Sequence, residues 1–159
     1  MHLSFMCIYT YYVAMNPITP RCTCFALRRA SRRASQIYDR ELAHVDLSLN
    51  GYSILRRVRE AKSLTQLADE LGMDRTTVTR NLKPLLHAGL ISEQRSRDDA
   101  RKKWFAITAA GRRLLVRAEP HWQQAEDRID ALFGATKAHA LRIDLAEFDQ
   151  ALRQAGDPA

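Results

Sequence analysis

The sequence predicts a mainly α-helical fold with one small β hairpin. Three observations carry that expectation. From Arg21 onward apolar residues recur at three- and four-residue steps, the mark of helices that bury one face. Ser63-Leu64-Thr65-Gln66, then Gly72 and Asp74, punctuate two short helices around a tight turn. Two β-prone runs, Leu90-Ile91 and Lys103–Thr108, flank a polar, charged stretch from Ser96 to Ala100.

The 159 residues, 46% apolar and 27% charged, suit one globular domain or a lobe joined to a helical assembly element. No apolar run approaches the roughly 18–20 residues that cross a bilayer, so no membrane role is expected. Three cysteines, at 7, 22 and 24, cannot frame a small secreted fold, and a reduced cytoplasmic setting is expected. The net charge of +7 invites a polyanionic partner. The excess lies in the first two thirds, because residues 112–159 hold seven Lys and Arg against eight acids.

Residues 1–20 read as an N-terminal extension that is flexible or packed on a partner. Translation starting at Met15, just before Asn16-Pro17-Ile18-Thr19-Pro20, is a second reading, and a targeting segment is the runner-up to both. Residues 21–43 form an amphipathic helix, with Ala30, Ala34, Ile37 and Leu42 inward and Arg28, Arg29, Arg32, Arg33 and Arg40 outward. A break at His44–Leu47 follows, and Ser48 caps a second helix carrying Ile54, Leu55 and Val58. Ser63 and Gln66 then fit a capping box, Leu67, Ala68 and Leu71 form a buried side, and Gly72 supplies the left-handed exit. Asp74 caps the next helix, whose inner stripe is Val78, Leu82, Leu85 and Leu86. Pro84 removes its bond to the Arg80 carbonyl and is expected to bend it.

Two short helices across such a turn match a helix-turn-helix, and a hairpin directly behind them is a wing closed by Gly111. The fold class expected is therefore a winged helix-turn-helix lobe at 48–111, flanked by helices at 21–47 and 112–155 that serve dimerisation. Leu115, Ala118, Trp122, Ala125, Ile129 and Leu132 step by 3 and 4 as in a coiled-coil seam. Leu141, Leu145, Phe148 and Leu152 continue the pattern after a break at 133–136. Such seams exceed what one small lobe must bury and point to a second copy; a monomeric bundle is the plainer alternative.

With the helix at 74–87 in a major groove, Arg75, Thr76, Thr77 and Arg80 face bases near its N-terminus, and Lys83 and His87 meet phosphate. Arg offers two hydrogen bonds to a guanine edge; Thr offers a hydroxyl, and a methyl for thymine. Arg97, Asp99 and Arg101 mark the wing tip, which suits phosphates and a narrow minor groove, with Asp99 bracing Arg101. Two lobes on a two-fold axis predict a palindromic site.

The element order, the segment LADELGMDRTTVTRNLKPLLHAGLI, the Asp99-x-Arg101 wing and the Ile107-Thr108-x-x-Gly111 exit together resemble the MarR family of winged-helix regulators over residues 21–155. The resemblance implies a homodimer with interlocked first and last helices, acting as a repressor released by a small molecule or oxidant. It also implies that Arg101 enters the minor groove and that 75–80 reads bases. Cys24, near the start of the first helix and one turn before Arg28, is a candidate thiolate sensor. Its CF-x-L context resembles the organic-hydroperoxide-sensing subgroup. In that subgroup a tyrosine fourteen residues on, Tyr38 here, hydrogen-bonds to the cysteine. The subgroup's other tyrosine is Arg28 here, a departure from the pattern. Cys22 is a candidate resolving thiol, although a 22–24 disulfide requires local unwinding. A small buried hydrophobe is the plainer reading of Cys24. The other sensing candidate is a pocket between the dimer helices and the winged lobe, lined by Tyr38, His44, Tyr52 and Trp122 for an aromatic acid or its thioester, with Arg residues of the first two helices as carboxylate partners.

An enzyme is not expected, because no phosphate loop, Ser-His-Asp arrangement or His/Glu metal spacing appears, and no cofactor is expected either. Double-stranded DNA and a second copy are the expected partners, with an aromatic effector or peroxide as releaser. A winged helix used only for protein contacts is the competing class.

Overall fold

The computed structural model describes residues 22–95 and 103–156. They form two compact units that divide between Gln36 and Ile37. Helix α1 spans Thr23–Leu42, beginning in the first unit and ending in the second. The Cys22 carbonyl accepts from Ala26 N at 3.1 Å, so Cys22 is the N-cap of α1. A 3-10 turn, Ala43–Val45, and a left-handed Asp46 at φ 54° form the anticipated break. An aspartate tolerates that conformation better than most residues with a Cβ.

Ser48 then caps α2, Leu49–Arg57, with its hydroxyl accepting from Gly51 N at 3.1 Å. Lys62–Ser63 forms a short strand, β1, leading into α3, Leu64–Leu71. The capping box is complete: Gln66 N donates to Ser63 Oγ at 3.2 Å and Ser63 N donates to Gln66 Oε1 at 2.9 Å. Gly72 ends the helix at φ 60° with open space around it. Helix α4, Arg75–His87, runs unbroken through Pro84, with Val78, Leu82 and Leu85 buried.

Strands β2, Ile91–Arg95, and β3, Lys103–Ile107, pair antiparallel from Ile91↔Ile107 to Arg95↔Lys103. The expected hairpin is part of a three-stranded sheet of order β1-β3-β2, with Lys62 opposite Phe105. Two residues are too few for alternation to show, and Ser63 was already accounted for as a cap. Gly111 is a second correction. It lies inside α5, Ala109–Phe133, and Thr108 is the residue that caps this helix. Gly111 is needed for close approach: a Cβ there would lie 2.1 Å from the Leu90 carbonyl oxygen. Gly134, at φ 91°, separates α5 from α6, Ala135–Gln154, so the break is a single residue.

The core gathers Leu42, Tyr52, Leu55, Leu67, Leu82 and Phe105 with their neighbours, and joins α2, α3, α4, the sheet and the first half of α5. Of the first seam Leu115, Ala118 and Ala125 are buried, whereas Leu132 is 69% exposed. On α6 Leu141, Ile143, Leu145, Phe148 and Leu152 are all between 40% and 49% exposed.

Candidate nucleic-acid interface

The sequence places three cations and three threonines within the first nine residues of α4, and the inner stripe fixes which of them face out. Taking 100° per residue, Val78, Leu82 and Leu85 cluster on one side. Arg75, Thr76, Thr79, Arg80 and Lys83 line a shallow groove of about 320 Å³ on the other. Among the described residues none of Arg75, Arg80 and Lys83 lies within ion-pair distance of a carboxylate.

Asp74 spends both carboxylate oxygens on Thr77, accepting from its hydroxyl at 2.6 Å and from its backbone N–H at 2.8 Å. The Thr77 hydroxyl and then the Thr77 amide hold the Asp74 carboxyl below its ordinary pKa. Thr77, expected to face bases, is thus half-buried and serves the cap. Thr79, which the sequence reading passed over, stands in the groove with its hydroxyl donating to the Arg75 carbonyl at 2.7 Å. The steps 75, 79, 83 carried the signal, since residues four apart share a face. His87 is exposed at the far end of the helix.

Behind α4, the Thr108 hydroxyl contacts the Gly89 and Leu90 carbonyls at 2.7 and 3.1 Å and accepts from Gly111 N at 3.1 Å. This joins the exit of α4 to the start of α5. The expected wing-tip residues Arg97, Asp99 and Arg101 lie outside the described residues. The hairpin stem below them carries a Lys103–Glu93 ion pair at 3.0 Å.

Of the four residues expected to line one effector pocket, Tyr52, His44 and Tyr38 meet α5 at Glu119, His121 and Glu126, and Trp122 belongs to that helix. Tyr52 and Trp122 stack with centroids 6.0 Å apart, and the Arg56 guanidinium sits 5.8 and 5.4 Å from the two rings. They line a cleft of about 460 Å³ with Ser53, Arg56, Arg57 and Glu70. The Tyr52 hydroxyl donates to Glu119 at 2.8 Å; burial, then this bond, pushes its pKa up to about 12. Tyr38 donates to Glu126 at 2.7 Å, and burial followed by that bond raises it too. Glu126 and Asp130 also accept from Arg142 of α6 at 2.8 Å each. His44 stacks on His121 at 5.3 Å, and its Nδ1 bonds the Glu41 carbonyl at 2.9 Å. A second cleft has a volume of about 640 Å³. It brings Arg56, Arg59 and Arg112 to an apolar wall of Leu115, Val116 and Pro120. These residues lie far apart in sequence, and only the packing of α2 on α5 unites them.

In the first unit Cys24 is exposed, contrary to the plainer reading of a buried hydrophobe. Cys22 is exposed as well, and its Sγ accepts from Phe25 N at 3.4 Å. Both thiols line a groove of about 400 Å³ with Phe25, Arg28, Arg29 and Arg32.

Comparison with known proteins agrees with this geometry. A helix-turn-helix domain family matches residues 52–94. Over 97 residues the chain is 30% identical to the organic hydroperoxide resistance transcriptional regulator of Bacillus subtilis, spanning 60% of this chain and 66% of that regulator's length. The structure is similar to the transcriptional regulator MosR of M. tuberculosis in complex with DNA, at 33% identity and a TM-score of 0.74, covering 85% of this chain and 98% of that one. It is also similar to the transcriptional repressor CouR bound to a 23-mer DNA duplex, at 29% identity and a TM-score of 0.72, covering 80% and 92%. These relatives are transcriptional regulators rather than enzymes. The winged helix-turn-helix with its cationic α4 face and these likenesses agree: the chain belongs to the MarR family of winged helix-turn-helix transcriptional regulators.

Proposed function

We propose that the protein is a homodimeric repressor of a palindromic operator, released when an organic hydroperoxide oxidises the thiols at the start of α1. The observation that carries the DNA half is the α4 face, where Arg75, Arg80 and Lys83 stand together without carboxylate partners among the described residues. Arg75, Thr76 and Arg80 read bases, Lys83 and His87 hold phosphate, and Arg97, Asp99 and Arg101 of the wing serve the minor groove. The likeness to DNA-bound MosR supports this assignment. Dimerisation through α1, α5 and α6 is supported by the exposed stripe Leu141, Leu145, Phe148 and Leu152, which a monomer leaves in water. A cytoplasmic location goes with that role.

Cys24 acts as the peroxidatic thiol and Cys22 as the resolving one. The Cys24 thiolate attacks the hydroperoxide, forming sulfenic acid and expelling the alcohol once a proton is taken up. The Cys22 thiol then attacks the sulfenic sulfur, forming the disulfide and releasing water. Cys22 lies outside the helix and Cys24 inside its first turn, so closing the bridge unwinds that turn. The likeness to the Bacillus subtilis hydroperoxide regulator supports this reading. Tyr38 is bonded to Glu126 within its own chain, so it braces the second-unit end of α1 against α5.

Fluorescence anisotropy on DNA from upstream of the protein's own gene, under reducing conditions and with unrelated DNA as competitor, tests the first half. Tight, salt-dependent binding by two protomers supports it; weak binding equal for both DNAs sinks it. Cumene hydroperoxide then releases the wild type but not Cys24→Ser, and release of that variant would refute the sensor. A second reading, an organic anion as effector, is favoured by the Arg56, Arg59 and Arg112 cleft with its apolar wall. Release by a hydrophobic carboxylate that Arg59→Ala abolishes would establish it.

A further inference from the structure

The helix α4 carries three threonines close to its groove-facing side, and the fold has treated each differently. Thr77 gives its hydroxyl and its amide to Asp74 and is half-buried. Thr76 is exposed and lines the groove. Thr79 is exposed in the same groove, four residues after Arg75 and four before Lys83, and so between them on that face. Its hydroxyl proton is committed to the Arg75 carbonyl at 2.7 Å. That bond holds the oxygen against the preceding helical turn, so on this exposed residue the Cγ2 methyl is the side-chain group that the bond does not occupy. In a major groove the complementary feature is the thymine C5-methyl, which no other base carries.

Resting on the assignment of α4 to the major groove, we propose that Thr79 selects thymine by apolar contact between its methyl group and the thymine C5-methyl. Arg75 and Arg80, which flank it on the face, supply the hydrogen bonds to neighbouring bases or phosphates, and Thr76 keeps its hydroxyl for the same use. The specificity at one position of each half-site is then set by exclusion of water from two methyl groups, with no hydrogen bond at that position.

The experiment selects duplexes from a random-sequence pool with the full-length reduced protein. The enriched duplex is then the probe, and each of its thymines is replaced singly by deoxyuridine, which removes only the methyl. Anisotropy gives the affinities of wild type, Thr79→Ser and Thr79→Val. At one thymine in each half-site the wild type is expected to lose about fourfold on deoxyuridine replacement, the worth of one buried methyl-sized group. Thr79→Ser keeps the hydroxyl and its bond to Arg75, binds the thymine duplex more weakly by a similar factor, and is indifferent to deoxyuridine there. Thr79→Val lacks the hydroxyl but keeps the methyl and retains the discrimination. Indifference of the wild type to every deoxyuridine overturns the proposal, as does full discrimination by Thr79→Ser. In both cases an enriched duplex leaves the major-groove assignment standing. Failure to enrich any duplex refutes that assignment, and the Thr79 contact with it.

Discussion

Replacing Gly111 by alanine puts a Cβ 2.1 Å from the Leu90 carbonyl oxygen, 2.8 Å from Ile107 Cγ1 and 3.0 Å from the Leu90 carbonyl carbon. Unbonded carbons rest about 3.5–4.0 Å apart, so the start of α5 must retreat from the α4 exit by roughly 1 Å or more. The collision is with backbone and cannot be relieved by turning a side chain. The retreat also pulls Thr108 from the Gly89 and Leu90 carbonyls, which it contacts at 2.7 and 3.1 Å. Overpacking costs about 1–3 kcal/mol and a weakened cap about 1, against a gain of about 1 from replacing glycine in a helix. The net loss expected is about 2 kcal/mol. For a chain of this length each kcal/mol lowers Tm by roughly 2–4 °C, so a fall of about 4–8 °C is expected. Urea unfolding followed by circular dichroism, together with a thermal melt, measures it. A variant as stable as the wild type would refute the close-approach argument. Helix propensity would then be the governing term.

Tyr52→Phe loses the bond to Glu119, an exposed carboxylate that can return to water, at a cost of about 1 kcal/mol in urea unfolding. The folded state holds the Tyr52 proton up to about 12 against an ordinary value of 10.0. That contribution is therefore complete below pH 10 and is lost as pH rises toward 12, a fall that Tyr52→Phe should lack. Asp74 has the opposite sign. Its carboxyl is held below its ordinary pKa, so its contribution is present at neutral pH and disappears as pH falls through the depressed value. Acid titration of stability should show this decline in the wild type and not in Asp74→Asn. Joint replacement of Leu145 and Phe148 by arginine should convert a dimer to monomers in sedimentation equilibrium, and a persisting dimer would exclude the α6 stripe from the interface.

Local punctuation made much of the lobe legible. Ser48, Ser63, Gly72 and Asp74 each act within three or four residues of their partners, so sequence spacing and spatial contact coincide. The same locality explains the misses. Strand β1 exists because Lys62 and Ser63 find Phe105 and Trp104 across some forty residues, and neither residue is β-prone by itself. Gly111 read as the close of the wing because glycine marks turns; its actual neighbour, Leu90, is unrelated to it in spacing. The outward set on α4 was legible except for Thr77 and Thr79, because both carry a hydroxyl and only its commitment separates them. The aromatic set was legible as residues but not as contacts: Tyr38 and Tyr52 both reach α5, on Glu126 and Glu119, seven residues apart.

That seven-residue spacing has a consequence for how a regulator of this build can release DNA. Glu119 and Glu126 lie two turns apart on one helix, so α5 holds α2 and the second-unit end of α1 in the same fashion, by a tyrosine hydroxyl on a carboxylate. Bonds of this charge-assisted kind contribute about 1.5–3 kcal/mol each when shielded, and less toward the surface. Swinging α2 away from α5 within one chain would break the Tyr52 bond, part the Tyr52–Trp122 stack and displace Arg56 from both rings. A shift from 1:99 to 99:1 between two states needs about 5.5 kcal/mol of differential binding. Breaking this set would absorb much of that sum before any DNA contact was lost. In the proposed homodimer, movement of one lobe relative to the other leaves these bonds intact. If the proposed release holds, the intrachain bracing of α2 and the second-unit end of α1 on α5 favours respacing of two lobes along the DNA over bending within either one.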